Sequence, residues 1–324
     1  MNEEPQDNRP DEKPDNERQN KINFDDDSLR NKLNPVISPV AAGFIGLFAG
    51  FFLYQIVGGL LTLLIFGLDV EKAPVNSFRL MTMAGQVLFI LLPALLFSKW
   101  FYEDVTSVIR FKPVKWQEIG LFTAGIIILT PLLENYLTIQ NYFIEKLAAS
   151  NSSIHTIKIF FDNLNDKVES TYSNLLTIHN VPEALLVILV VAAVPAVCEE
   201  VLFRGFIQKS FELKLRPIWA ILITSIFFGV YHFNPYGLIP LIGLGFYFGF
   251  AVYKSDSIFV SMVLHFLNNF AAIMVFFFVG RSEVISPDKP VDLGSSITIF
   301  VILLGLFSAV IYMILNYYKK IGKD

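Results

Sequence analysis

From Pro39 onward the chain alternates long apolar runs with short polar interruptions. The runs recur at lengths suited to crossing about 30 Å of hydrocarbon, roughly 20 residues of helix. Spans are predicted near 40–66, 80–98, 118–137, 183–206, 217–233, 236–253, 257–279 and 297–318. Lipid offers backbone groups no partners, so each run must satisfy its own hydrogen bonds as a helix, and the predicted fold is an all-α polytopic transmembrane bundle of about eight spans. The fifth and sixth runs are short and Asn234-Pro-Tyr-Gly237 breaks the chain between them, which leaves the count at seven or eight. Small residues, as in Ala41-Ala-Gly43 and Gly243-Leu-Gly245, let neighbouring helices approach closely.

Two stretches depart from the pattern. Residues 1–34 hold ten Asp or Glu against six Lys or Arg and few large apolar side chains, which predicts a disordered acidic tail. That tail lacks an apolar core and a cleavage site, so it is not read as a secretory signal. The second stretch, Thr138 to Val181, is a long polar connection in which the apolar residues from Lys158 to Leu176 fall partly at helical spacing. It predicts an interfacial helix, read as a surface cap on the bundle, with a lateral substrate entrance as the alternative. The expected organisation is the acidic tail (1–34), N-terminal transmembrane helices (35–181), a core at 182–280, and a last span with a basic C-terminus (281–324).

Composition adds the class. With 54% hydrophobic residues, 17% charged residues and 32 Phe, this is an integral membrane protein. The tail's excess of acid equals the formal net charge of −4, so the rest of the chain is neutral and no nucleic-acid partner is indicated. Basic residues flanking the spans are more numerous on the side of the N terminus, which predicts that both termini are cytoplasmic. A bacterial cytoplasmic membrane is the expected location.

Chemistry is concentrated in Val197-Cys-Glu-Glu-Val-Leu-Phe-Arg204, at the end of an apolar run. Ionisable residues at membrane depth are costly, roughly 3 kcal/mol or more each, and therefore read as functional. Glu200 and Arg204 share a helix face and predict an ion pair, whereas Glu199 points about 100° away and is left for another role. Downstream, Phe228-Gly-Val-Tyr-His232 and His265-Phe-Leu-Asn-Asn269 place polar groups in apolar sequence. If the helices on either side of Leu215–Arg216 form an antiparallel hairpin, Glu199 and His232 are equally far from the turn, roughly 25 Å at ~1.5 Å per residue, and meet at one level. This requires both helices to project beyond the bilayer through the polar Gln208–Arg216 segment. His265 and Asn269 are one turn apart and can face the same point.

Glu-Glu-x-x-x-Arg, Phe-x-x-x-His and His-x-x-x-Asn, in this order on successive spans, resemble the CAAX-protease and bacteriocin-processing (ABI) family of intramembrane proteases, which includes the type II CAAX prenyl endopeptidases. The resemblance covers about Pro182 to Phe278, with no departure at Glu199, Glu200, Arg204, Phe228, His232, His265 or Asn269. It implies an endopeptidase in which Glu199 activates water with help from His232, and His265 and Asn269 donate to the oxyanion. Glu200 and Arg204 would be a supporting pair and Phe228 a packing residue. The implied partners are membrane lipid and a peptide or lipidated protein, cut near its C-terminus.

Other readings stay open on the residues alone. Glu199, His232 and His265 match a His₂Glu zinc set, so the cofactor is either none or zinc, and a metalloprotease competes with a metal-free glutamate mechanism. The same three residues suit the relay of a proton-coupled transporter. A non-catalytic scaffold would use them for helix association. Cys198, the lone cysteine, reads as packing rather than nucleophile. Pro195 predicts a kink one turn before Glu199. His155 and His179 sit in the polar connection, with no acid spaced around them as a ligand set.

Overall fold

The computed structural model describes residue 33 and residues 35–68, 73–279 and 292–322. The acidic tail, apart from Leu33, and the boundary expected at 280–281 lie outside the described residues. Among the described residues the chain is helical without strands. Seven helices are long and apolar enough to cross a membrane: α1 (Pro39–Phe66), α2 (Val75–Tyr102), α3 (Trp116–Ser150), α5 (Val181–Glu212), α7 (Leu238–Ser255), α8 (Ile258–Val279) and α9 (Leu293–Lys320). Between them lie α4 (Ser152–Leu176) and α6 (Pro217–Tyr231). The α6 helix has 15 residues. At ~1.5 Å each it falls short of a ~30 Å hydrocarbon core by about a third. The expected set of about eight spans is thus present as seven full-length helices and one short one.

Helix α5 is the axis of the bundle: half of its most apolar window is buried inside the protein, against 11% for α1 and α9. One apolar core joins its C-terminal half to α1, α2 and α6 through Leu202, Phe203, Phe206 and Phe211. A second joins α3, α7, α8 and α9 around Phe122, Tyr247 and Tyr318. Lipid tails are as apolar as these side chains, so association rests on close packing rather than on escape from water. A stripe on α1 supplies the closeness. A Cβ on Gly46 would stand 2.6 Å from the Phe206 ring, and one on Gly43 would stand 2.7 Å from the Phe211 ring.

Among the described residues four stretches wind as π-helix: Phe52–Gly58 in α1, Val87–Leu91 in α2, and Ile188–Ala193 and Val201–Ile207 in α5. Two of them run directly into the turns that hold Pro93 and Pro195. Proline has no N–H and its ring presses on the preceding turn, and a wider turn accommodates both defects. The kink expected at Pro195 takes this form.

The polar connection differs from its expected form. Helix α3 does not stop near residue 137 but continues to Ser150, and the break is at Asn151, whose Oδ1 accepts from the N–H groups of Ser153 and Ile154 to start α4. Helix α4 is fastened at both ends. Lys158 bridges Glu145 at 3.0 Å and Asp162 at 2.9 Å, and Tyr236 Oη donates to Asp162 Oδ1 at 2.5 Å. Partial burial pushes the Asp162 carboxyl up, but the Tyr236 and Lys158 donors outweigh it and hold it below the ordinary range. At the other end the buried Arg79 donates to the carbonyls of Leu175 and Thr177, capping the helix with a cation where its dipole is negative.

The Gln208–Arg216 segment, read as permitting the hairpin to extend beyond the bilayer, begins inside the helix bundle. Gln208 and Ser210 have no exposed surface. Gln208 Nε2 donates to Glu212 and to the Gly249 carbonyl, and Ser210 Oγ accepts from Tyr102 Oη at 2.8 Å. Neighbouring helices supply the partners that water would have.

Candidate active site between helices α2, α5, α6 and α8

The π-helical and α-helical turns of α5 set its two carboxylates on different sides. Glu200 points into the protein and has no exposed surface. Its Oε1 accepts from Arg204 Nη1 at 2.8 Å, one helical turn on, and meets His265 Nδ1 of α8 at 2.8 Å. The guanidinium has no exposed surface either, donates to the Gly245 carbonyl at 3.1 Å, and lies 4.3 Å from the centroid of the Phe228 ring. A desolvated cation over an aromatic face gains about 2 kcal/mol. Phe228 thus does more than fill space. Its ring faces Arg204, and its backbone carbonyl accepts from His232 Nδ1 at 2.7 Å.

Glu199 faces the other way, into a cavity of about 590 Å³. The hairpin of α5 and α6, turning through residues 213–216, brings His232 Nε2 to 4.0 Å from Glu199 Oε2. With Nδ1–H committed to the Phe228 carbonyl, the neutral His232 ring presents an acceptor at Nε2. Glu199 Oε2 is buried and has no hydrogen-bond partner among the described residues, and the other oxygen accepts from Gln86 Nε2 of α2 at 3.1 Å.

Asn269 lines the same cavity and donates one Nδ2 hydrogen to the Val191 carbonyl at 3.0 Å. Val191 lies in the π-helical stretch Ile188–Ala193, and Pro195 just beyond it has no N–H to give that ladder, so the ladder breaks here and the Val191 carbonyl accepts from Asn269. On its other side Asn268 Nδ2 donates to Asn269 Oδ1 at 3.4 Å, while Thr130 of α3 donates to Asn268. One N–H of Asn269 is left for the cavity.

The structure therefore brings Glu199, His232, His265 and Asn269 to one cavity, with Glu200, Arg204 and Phe228 packed behind it. The His₂Glu zinc set, the alternative to a metal-free site, is not gathered as a metal-ligand cluster among the described residues. His265 Nδ1 meets Glu200, which leaves its Nε2 for the cavity. Cys198 is buried in the apolar core, 1% exposed. His179 pairs with Glu183 at 3.1 Å, and neither it nor His155 lines the cavity.

Four features escaped the sequence reading. Gln86 and Tyr54 reach the site from helices distant in sequence, as single polar residues in apolar runs. The Asn269–Val191 bond lies where Pro195 interrupts the helix ladder, a break that the sequence shows without naming the carbonyl. The Glu200–His265 contact has no local signal. Helix α4 forms a wall of the cavity through Lys167, Thr171, Tyr172 and Leu175, more than the surface cap expected. Beyond it a second, apolar chamber of about 600 Å³ opens between α1 and α2, sharing Tyr54, Gln55, Phe78, Thr82 and Thr171 with the first.

Residues 181–271 match the family model described as type II CAAX prenyl endopeptidase Rce1-like. A Bacillus subtilis (strain 168) protein described as "Putative membrane peptidase YdiL" is 30% identical over 120 residues, which is 37% of this chain and 48% of that protein. The chain thus matches about half the length of that curated relative. No solved structure matches the chain. The matched segment contains every residue from Glu199 to Asn269 described above, and over residues 181–271 the chain is similar to the Rce1-like, type II CAAX prenyl endopeptidases.

Proposed function

We propose that the protein is an intramembrane endopeptidase that hydrolyses a peptide bond near the C-terminus of a peptide or protein, prenylated or not, by a metal-free glutamate mechanism. The family match and the peptidase relative support a membrane protease in general. The observation that carries the finer reading is the 4.0 Å gap between Glu199 Oε2 and His232 Nε2. It is too long for a direct hydrogen bond and close to the span that one water bridges. Oε2 is itself buried, so a water enters between the two atoms through a small rotation of either side chain; both atoms are acceptors, and that water donates both hydrogens and keeps its oxygen lone pairs for attack. Glu199 takes the proton as the water adds to the scissile carbonyl, and the amide nitrogen receives it as the C–N bond breaks.

Charge developing on the carbonyl oxygen falls to the free N–H of Asn269. His265, whose Nδ1 is engaged by Glu200, adds a donor at Nε2 when the ring is doubly protonated. Glu200 and Arg204 hold that ring rather than touch the substrate. The bacterial cytoplasmic membrane, with both termini cytoplasmic, belongs to the same proposal.

The test is cleavage of a peptide library, including a prenylated CAAX peptide, by purified protein in detergent, with and without a chelator. Cleavage that survives chelation and is lost in Glu199→Gln is the expected result. Cleavage lost to the chelator and restored by zinc would overturn the metal-free mechanism. Absence of cleavage under all conditions would return weight to transport or scaffolding.

A further inference from the structure

Gln86 lies outside the segment 181–271 and yet makes the one hydrogen bond that the protein gives the Glu199 carboxylate among those described. It sits on α2 immediately before the π-helical turn Val87–Leu91 and is 5% exposed. Its Nε2 donates to Glu199 Oε1 at 3.1 Å and reaches Tyr54 Oη of α1 at 3.4 Å. An ionised carboxylate can only accept, so the amide nitrogen must be the end that faces Glu199. Both of its hydrogens then have directions, one to the carboxylate and one to the phenol.

We infer that Gln86 is a positioning residue for the reaction: it occupies one oxygen of Glu199 so that the other is held facing His232. The inference rests on the reading of Glu199 as the base. Three torsions separate a Glu backbone from its carboxylate, and Gln86 is the one described hydrogen-bond donor that fixes the last of them. A single donor on Oε1 selects the rotamer in which Oε2 stands 4.0 Å from His232 Nε2. Tyr54, by accepting the second hydrogen, fixes the Gln86 amide in turn. The base is thereby oriented from α1 and α2, helices that carry none of the three sequence motifs. Two of the four π-helical stretches, Phe52–Gly58 and Val87–Leu91, contain or adjoin the residues that do this.

The test uses Gln86→Met, which keeps length and volume and removes the donor, assayed on a quenched fluorescent peptide that the wild type cleaves. A positioning role predicts kcat lower by about 10- to 100-fold with KM within about twofold, because the substrate still binds and only the alignment of the base is lost. Unchanged kcat, or a rise in KM alone, would overturn it. Thermal melting separates this from simple helix packing. Gln86→Met should lower the melting temperature in the wild-type background and not in a Glu199→Ala background, since its partner is then already gone. An equal drop in both backgrounds assigns Gln86 to packing and ends the proposal. If the wild type cleaves no peptide, the protease reading fails first, and the melting comparison still decides whether Gln86 and Glu199 are coupled.

Discussion

Glu199 and Glu200 are adjacent in sequence on one helix, and they live in opposite environments. Glu200 is sealed, with a cation and an imidazole on one oxygen and no exposed surface. Glu199 lines a cavity, has 13% of its side chain exposed and holds one neutral donor and no cation, while each of the two carboxylates keeps one oxygen without a hydrogen-bond partner among the described residues. A buried ion pair gains its Coulomb energy only with good geometry and is expensive to break. An underpartnered carboxylate beside a cavity is expensive to keep and is retained where chemistry needs it. One side of α5 therefore reads as architecture and the other as reactivity, and substitutions should separate the two.

The largest effect expected is on the open side. Glu199→Gln should lower peptide cleavage by about 10³-fold or more while leaving the melting temperature within a few degrees, because no ion pair is broken. His232→Ala should follow the same pattern with a loss of about 10²- to 10⁴-fold. Retained activity in Glu199→Gln would break the comparison outright. On the sealed side, Glu200→Leu leaves Arg204 buried without its carboxylate and should cost about 3–5 kcal/mol of stability, measured by denaturation in detergent micelles. A Glu200→Leu protein that melts like the wild type would show that the pair contributes nothing to the fold.

A smaller effect sharpens the Asn269 assignment. Pro195→Ala restores an N–H that re-pairs the interrupted ladder around Val191, so Asn269 loses a fixed orientation and kcat should fall by about 10-fold with little change in KM. The smallest concerns α4, the wall opposite α5. Tyr236→Phe removes one donor to Asp162 and should raise amide exchange across 152–176 by a few fold. The Asp162 carboxyl is held below its ordinary value in the folded protein. Its contribution is therefore present above the unfolded pKa and lost as pH falls through the folded one. Proteolysis within 152–176 should rise on acidification in the wild type, and less in Asp162→Asn. With 40% of that side chain exposed, solvent screening keeps this effect small.

What the sequence determined by itself follows from periodicity and from the cost of charge in lipid. Apolar run length required membrane-depth helices, and the four-residue spacing of Glu200 and Arg204 required one face. The equal distances of Glu199 and His232 from the turn required one level, and the 4.0 Å contact bears that out. These are local properties of a helix or of one hairpin, so they need no knowledge of neighbours. The rest is a matter of which helices meet. Whether His265 would turn to Glu200 or to Glu199 depended on the packing of α8 against α5. Gln86 carried no motif, because a lone amide in an apolar run becomes informative only when its neighbour is known. Gln208 and Ser210 lie in a segment whose polarity says nothing of its neighbours, yet the Gly249 carbonyl of α7 and Tyr102 of α2 bond to them inside the bundle. A hydrogen bond between distant helices leaves no period in the chain, and the tertiary structure alone decides it.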